Sequence, residues 1–117
     1  MELEQLVRAV AKGDLITARE WVADAQRSRL QWASVPRPTS LGERDLAIAA
    51  GLAELLAERG GTTGPSWACS ISGPDEPFIL DPGLDEMPRS LERARTFGPE
   101  PLRKRNLVAL PDFLRIA

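Results

Sequence analysis

The sequence predicts an all-α protein: three N-terminal helices, an irregular proline-rich strap, and two or three short C-terminal helices. Three observations lead to this prediction. Apolar residues recur at helical spacing within residues 2–33. An alanine-rich apolar run follows at residues 46–57. From residue 60 onward glycine and proline become frequent, which indicates a second half with less regular structure.

The first two helices are predicted to meet at a glycine. The first one carries apolar side chains at i, i+3, i+4 and i+7, namely Leu3, Leu6, Val7 and Val10. Gly13 suits a C-terminal cap, and the carboxylate of Asp14 can accept hydrogen bonds from the first turn of the next helix. We expect that helix at about residues 15–33, folded back on the first as a helical hairpin.

The third helix is predicted to be the central one. Two prolines make residues 34–40 a stiff connector. Ser40 and Glu43 then have the spacing of a capping box, so we expect the helix at about residues 41–59. Its broad face is rich in alanine, and small side chains allow other helices to approach closely. Gly60 and its glycine neighbour end it.

The middle of the chain is predicted to be a link followed by a strap. The glycine-rich stretch at residues 60–66 indicates a flexible link, and residues 65–69 can form one helical turn that starts at proline. Residues 77–82 have an apolar centre bounded by prolines, which favours an extended strap across the helices. We expect its anchors to be Phe78, Ile79 and Leu80.

The C-terminal part is predicted to form a helical clip. Asp85 can cap a helix over residues 85–96, and a last short helix should end near Asn106, which tolerates the left-handed conformation. The residues of the longer helix that we expect to face inward are Met87, Leu91 and Ala94.

Length and composition indicate one ordinary globular domain. The chain has 117 residues, of which 43% are hydrophobic and 27% charged. We therefore expect a single domain over residues 1–117, with a helical core at 1–59, the linker and strap at 60–83, and the clip at 84–117.

Charge and residue types exclude several function classes. The net charge is −2 and the chain has no histidine and one cysteine, Cys69. Because basic and acidic side chains are nearly equal in number, the overall charge does not favour electrostatic binding to nucleic acid or to an anionic membrane. Histidine-dependent nucleophilic catalysis and zinc sites built from histidine or several cysteines cannot be assembled. We expect Cys69 to be a small, partly buried apolar side chain.

The N-terminal residues and the apolar run predict a cytoplasmic protein. The first ten residues lack the cationic start and the continuous apolar stretch of a signal peptide. The run at residues 46–57 is too short to span a bilayer and contains Glu54.

Three candidate sites have simpler structural explanations. The glycines at residues 60–64 lack the following lysine of a phosphate-binding loop and are better explained as a linker. The helices around Gly13 lack the polar recognition face of a DNA-binding motif. The acidic residues between positions 75 and 86 could support metal binding or acid–base catalysis only if buried, and solvated loop charges are the simpler interpretation.

The basic cluster at residues 103–105 is the strongest candidate for a binding site. Residues 84–117 carry seven basic and five acidic side chains, so this part alone is locally basic. Apolar residues on both sides should hold the cluster in place, and organised cations bind carboxylates or phosphates better than a free tail does. The predicted partner-binding residues are Arg103, Lys104, Arg105, Asn106, Trp67 and Phe113. Tryptophans that do not bind a partner are expected in the core.

Residues 46–117 resemble a family through several short segments. The matching stretches lie at residues 53–57, 65–67, 76–78, 99–103, 105–107 and 111–114. They resemble small actinobacterial-type proteins and domains encoded beside nucleotidyltransferase-like toxins. The resemblance implies an antitoxin-like or accessory role in which the protein binds its neighbouring toxin and blocks it, and it carries over no catalytic residue.

Together these observations lead to the hypothesis of a non-enzymatic, antitoxin-like protein with no cofactor, no bound metal and no direct contact to nucleic acid. Its partner would be a nucleotidyltransferase-type toxin. The alternative is a structural or self-associating helical accessory protein, such as a homodimer formed through the third helix and spare tryptophans. A small enzyme using the carboxylates at 75–86 and a nucleic-acid-binding tail are two further hypotheses.

Overall fold

The computed structural model describes residues 2–116 and is mostly helical, as the sequence predicts. Its helices are α1 (Leu3–Ala11), α2 (Leu15–Arg27), α3 (Glu43–Arg59), α4 (Pro88–Phe97) and α5 (Glu100–Arg103). Two short strands, β1 (Phe78–Ile79) and β2 (Leu107–Val108), pair in parallel. Short 3-10 turns lie at Trp32–Ser34, Ser66–Ser70 and Leu84–Glu86.

The junction between α1 and α2 has the predicted caps. Gly13 has a left-handed backbone with φ of +78°, which lets the chain leave α1 and enter α2 within a few residues. The Asp14 carboxylate accepts a hydrogen bond from the Thr17 N–H at 3.1 Å. α1 then packs against both α2 and α3.

The second helix ends earlier than predicted. α2 stops at Arg27, and Arg29 takes a left-handed conformation with φ of +52°. The chain reverses and places Trp32 beside Trp21, with ring centroids 6.0 Å apart. In a continuous helix these residues would be about 16 Å apart. The early end therefore lets both tryptophans, each 8% exposed, enter the core as predicted.

The start of α3 also differs from the prediction. The helix begins at Glu43, with Gly42 as N-cap and no side-chain hydrogen bond at the cap. Glu43 is thus the first helical residue and not the third, so Ser40 and Glu43 cannot form a capping box. The small residues behave as expected, because a Cβ at Gly51 would lie 2.7 Å from the Leu102 side chain on α5.

The strap is extended as predicted, and it is also half of a strand pair. Phe78 lies opposite Leu107 in β2. The Phe78 N–H donates to the Asn106 carbonyl at 2.9 Å, and the Leu80 N–H donates to the Val108 carbonyl at 2.8 Å. Leu80 is buried, and Phe78 is half-buried under the Arg44 guanidinium, which lies 4.3 Å from its ring centroid. The strap is therefore held by backbone hydrogen bonds as well as by apolar anchors.

The predicted helix over residues 85–96 starts later. A 3-10 turn precedes it, and α4 begins at Pro88, which suits a first helical position because it needs no N–H there. Asp85 accordingly makes no cap hydrogen bond, and Met87 is exposed where the sequence predicted an inward side chain. Ala94 is buried as predicted. The last short helix ends at Arg103, earlier than the predicted end near Asn106, although Asn106 has the predicted left-handed backbone with φ of +61°.

One apolar cluster draws on both halves of the chain. It joins the buried faces of α1, α2 and α3 to side chains from the strap and the C-terminal part. The contributors from the second half include Leu80, Leu102, Leu107, Phe113 and Leu114. Over residues 2–116, no helix is long and apolar enough to cross a membrane.

We predict that Gly73→Ala destabilises the protein strongly. A Cβ at this position would lie 1.6 Å from the Arg105 carbonyl oxygen, so one of the two backbone segments must move. We expect a loss of about 3 kcal/mol or more in the free energy of unfolding, measured by urea denaturation.

The matched control for this substitution is Gly60→Ala. Its Cβ would make only ordinary contacts, the nearest at 3.5 Å, so the change should stay within about 0.5 kcal/mol. Equal effects of the two substitutions would show that the approach of residue 73 to residue 105 does not constrain the fold.

Candidate functional site

The centre of the predicted basic cluster lies inside the protein. Arg105 follows α5, and its side chain is only 2% exposed. The two residues before it, Arg103 and Lys104, are exposed. The cluster is therefore split, with one guanidinium group in the interior and two cations at the surface.

The guanidinium group of Arg105 is bound on several sides. Its Nε donates to the Ile71 carbonyl at 3.0 Å, and Nη2 donates to the Ala68 carbonyl at 2.8 Å. Nη1 donates to the Glu54 carboxylate at 2.6 Å and to the Pro101 carbonyl at 2.7 Å. These contacts use four of the five N–H groups of the side chain. Burial of this charge is tolerated because it is both paired and hydrogen-bonded.

Glu54 on α3 receives both neighbouring cations of the cluster. The same carboxylate oxygen that accepts from Arg105 lies 3.2 Å from Lys104 Nζ. Burial alone would raise the pKa of Glu54, but hydrogen bonds from Arg105 and Lys104 outweigh burial and hold that pKa below its ordinary value. The acidic group that this part of the cluster faces is thus on the protein's own central helix.

Arg103 and Asn106 remain at the surface with well-defined backbone contacts. The Arg103 guanidinium donates to the Thr96 carbonyl near the end of α4. The Asn106 amide donates to the carbonyls of Pro74 and Asp75 at 2.9 and 3.1 Å. Both residues are exposed, so they present polar groups outward from a fixed backbone.

The two predicted aromatic anchors differ in exposure. Trp67 is half-buried, and its Nε1 donates to the Val35 carbonyl at 2.8 Å. This hydrogen bond joins the connector at residues 34–40 to the 3-10 turn at Ser66–Ser70. Phe113 is buried at 2% exposure within the apolar cluster. Arg105 and Phe113 are therefore corrected from predicted partner contacts to interior residues, because neither side chain reaches the surface.

A second arginine holds the C-terminal segment. Arg59, in the last turn of α3, donates from Nη1 to the Phe113 carbonyl at 2.5 Å and from Nη2 to the Pro111 carbonyl at 3.2 Å. Partial burial and the nearby charge of Arg115 lower the pKa of Arg59. The residues after β2 are thus fastened to the end of the central helix.

The acidic residues between positions 75 and 86 do not gather into a site. Asp75, Glu76, Asp85 and Glu86 are exposed. Asp81 is half-buried, and its carboxylate accepts the Leu110 N–H at 2.8 Å. Burial raises the pKa of Asp81. Within residues 2–116, no group of three or more histidine, cysteine or acidic side chains is placed to hold a metal ion.

Two other sequence expectations can be compared with the structure. The glycine link leads into a 3-10 turn at Ser66–Ser70, as predicted. Cys69, expected to be partly buried, is exposed, and its Sγ lies 3.1 Å from the Ser66 carbonyl oxygen.

Sequence reasoning missed the roles of Glu54 and Arg59, although a signal was present for one of them. Glu54 is the only charged residue within the run at residues 46–57. A carboxylate in the middle of a buried helix requires a cationic partner. That partner could have been sought among the basic residues at 103–105. No comparable pattern marked Arg59.

Comparison of the chain with protein-family models, with curated proteins and with solved structures found no significant match to any of them.

We predict that Arg105→Ala lowers the free energy of unfolding by about 3–5 kcal/mol, because it removes one of the two cations that Glu54 binds and one hydrogen-bond donor from each of three carbonyl groups. Glu54→Gln should cost less, since an amide oxygen can still accept one hydrogen bond.

The pH dependence tests the same pair. The folded-state pKa of Glu54 is depressed, so its contribution to stability is present above about pH 4.5 and is lost as the pH falls through the folded-state value. Urea denaturation between about pH 3 and 7 should show this loss for the wild type and less of it for Glu54→Gln. Identical pH profiles would contradict the pairing.

We predict that Asp81 changes the stability with pH in the opposite direction to Glu54. The pKa of Asp81 is raised from its ordinary value of 3.8 in the folded state, so protonation of Asp81 stabilises the fold at low pH. This contribution to stability is lost as the pH rises from 3.8 through the folded-state pKa. Asp81→Asn removes the buried charge and keeps an oxygen for the Leu110 N–H. Its thermal midpoint at pH 7 should equal or exceed that of the wild type, and a clear drop would mean that the carboxylate charge itself is needed.

Proposed function

We propose that the protein is an antitoxin-like, non-enzymatic protein that acts in the cytoplasm by binding a nucleotidyltransferase-type toxin. The resemblance of residues 46–117 to proteins encoded beside such toxins suggests the partner. The observation that carries the proposal is the division of the basic cluster. Arg105 is fixed in the interior, and Arg103 and Lys104 next to it are held outward.

The split cluster favours binding because its backbone is already ordered. An exposed arginine in a free tail loses conformational entropy when it binds, whereas a residue beside a buried, four-fold hydrogen-bonded neighbour has a fixed backbone beforehand. Arg103 donates one hydrogen bond to the Thr96 carbonyl, and its other N–H groups can donate to a partner. In this proposal it pairs with acidic groups around the metal and nucleotide site of the toxin.

The remaining predicted contacts contribute unequally. Lys104 is partly neutralised by Glu54, so its attraction for an external carboxylate is weaker than that of Arg103. Asn106 adds a polar group at the edge of the strap, and the exposed part of Trp67 adds apolar area. Arg105 and Phe113 support the surface from inside and do not touch the partner.

Self-association is the alternative. The surfaces that the sequence suggested for a homodimer, the third helix and the tryptophans, are largely buried in the folded chain. The apolar face of α3 and the side chains of Trp21 and Trp32 pack inside the protein. Among residues 2–116, the large apolar side chains that remain exposed are those of Ile16 in the first turn of α2, Met87 just before α4, and Phe97 at the end of α4. A homodimer would have to use one of these instead.

The test is co-expression of the chain with the nucleotidyltransferase encoded next to its gene. We expect the wild type to co-purify with that protein and to relieve its toxicity. Arg103→Glu combined with Lys104→Glu should weaken binding by about tenfold or more, because two favourable charges become repulsive. Binding would be followed by calorimetry and toxicity by cell growth.

The control variant combines Arg8→Glu with Arg37→Glu. It reverses the charge of two exposed arginines elsewhere and gives the same change in net charge. It should leave binding nearly unchanged. Full neutralisation by the Arg103/Lys104 variant would refute this interface. Absence of any nucleotidyltransferase beside the gene, together with a tight dimer in light scattering, would favour the self-association alternative.

A further inference from the structure

A groove beside α4 combines two arginines with an apolar floor. It has a volume of about 250 Å³ and lies where α4, the start of the strap and β2 meet. Its lining includes Pro77, Arg95, Arg103, Asn106, Leu107 and Val108. Arg95 was not among the residues that the sequence suggested for binding.

The charge of the groove is positive and uncompensated. Both arginines are exposed, and no acidic side chain lines the groove. Across the described residues 2–116, neither Arg95 nor Arg103 forms an ion pair. Two guanidinium groups on one concave surface form a complementary site for an anionic group.

The floor of the groove is apolar and rigid. Leu107 and Val108 are buried strand residues, and their strand is hydrogen-bonded to the strap. Pro77, at the entrance of β1, adds a side chain with little conformational freedom. A ligand that fits both parts therefore carries a negative charge next to an apolar group.

The nearby end of α4 distinguishes between a carboxylate and a phosphate. The last carbonyls of a helix carry a partial negative charge, and the Thr96 carbonyl already takes one donor from Arg103. This environment disfavours a phosphate dianion more than a carboxylate with a single charge. The apolar floor likewise suits the methylene groups of a glutamate or a neighbouring aliphatic residue.

We propose that this groove is the docking site for an acidic, partly apolar peptide segment of the partner protein, with Arg95 and Arg103 binding its carboxylate. The proposal rests on the proposed function, in which the chain works by contact with another protein. It adds Arg95 as a specificity-determining residue and places the interface on one side of α4.

The helix itself provides a matched control. Successive residues are about 100° apart around a helix, so Arg95 and Arg93 lie on opposite sides of the buried Ala94. Arg93 faces a different groove, formed with Pro111 and Asp112. Arg93→Glu and Arg95→Glu therefore make the same charge change on the same helix, and only the second alters the proposed site.

The first experiment follows the arginine side-chain and backbone amide signals by NMR during titration with a blocked Leu-Glu-Leu peptide. We expect millimolar binding with shifts at Arg95, Arg103 and Val108. The shifts should vanish in Arg95→Glu, persist in Arg93→Glu, and be absent with the Leu-Gln-Leu peptide. Shifts at other surfaces, or equal shifts with the glutamine peptide, would overturn the proposal. Stronger shifts with inorganic phosphate than with the glutamate peptide would overturn it in favour of a phosphate ligand.

The second experiment separates this proposal from the proposed function. Affinity for the neighbouring nucleotidyltransferase should fall by about tenfold or more in Arg95→Glu and by less than about twofold in Arg93→Glu. If the toxin binds and the two variants behave alike, the groove is not its docking site although the function holds. If the toxin does not bind while the peptide does, the groove stands and the assigned partner is wrong.

Discussion

The guanidinium group of Arg105 joins its own segment of the chain to two parts that are distant in sequence, α3 and residues 68–71. It reaches the carboxylate of Glu54 on α3, two carbonyls at residues 68 and 71, and the carbonyl of Pro101. An arginine keeps its positive charge when it is buried. The buried guanidinium group therefore needs each of the surrounding oxygen acceptors. The irregular segments must fold so that their carbonyl groups reach Arg105.

The rest of the second half is consistent with this constraint. Gly73 passes so close to the backbone of residue 105 that a Cβ has no room. The chain then enters the strap, where β1 pairs with β2, the strand that begins two residues after the buried arginine. Arg59, in the last turn of α3, likewise binds carbonyls of the last segment. Two arginines thus fasten a region that has little secondary structure of its own.

The sequence predicted those features that depend on neighbours along the chain. Helical spacing located the main helices. The roles of Gly13 and Asp14 and the left-handed conformation of Asn106 were predicted correctly because they depend on local backbone geometry. The early end of α2 was missed because it depends on Trp32 packing against Trp21. The strand pairing and the burial of Arg105 were missed because both join residues far apart in sequence. The surface role of Arg103 stays a prediction, and Arg95 was recognised only once α4 and β2 were seen together.

Hydrogen–deuterium exchange of Arg105→Met tests the central claim most directly, because methionine fills similar volume without donating hydrogen bonds. If Arg105 organises the second half, exchange should accelerate at the amides of residues 66–80 and 101–116, while α1 and α2 keep their protection. Uniform acceleration across the chain would mean that the arginine contributes only to global stability. Unchanged exchange in the strap and in β2 would contradict the account.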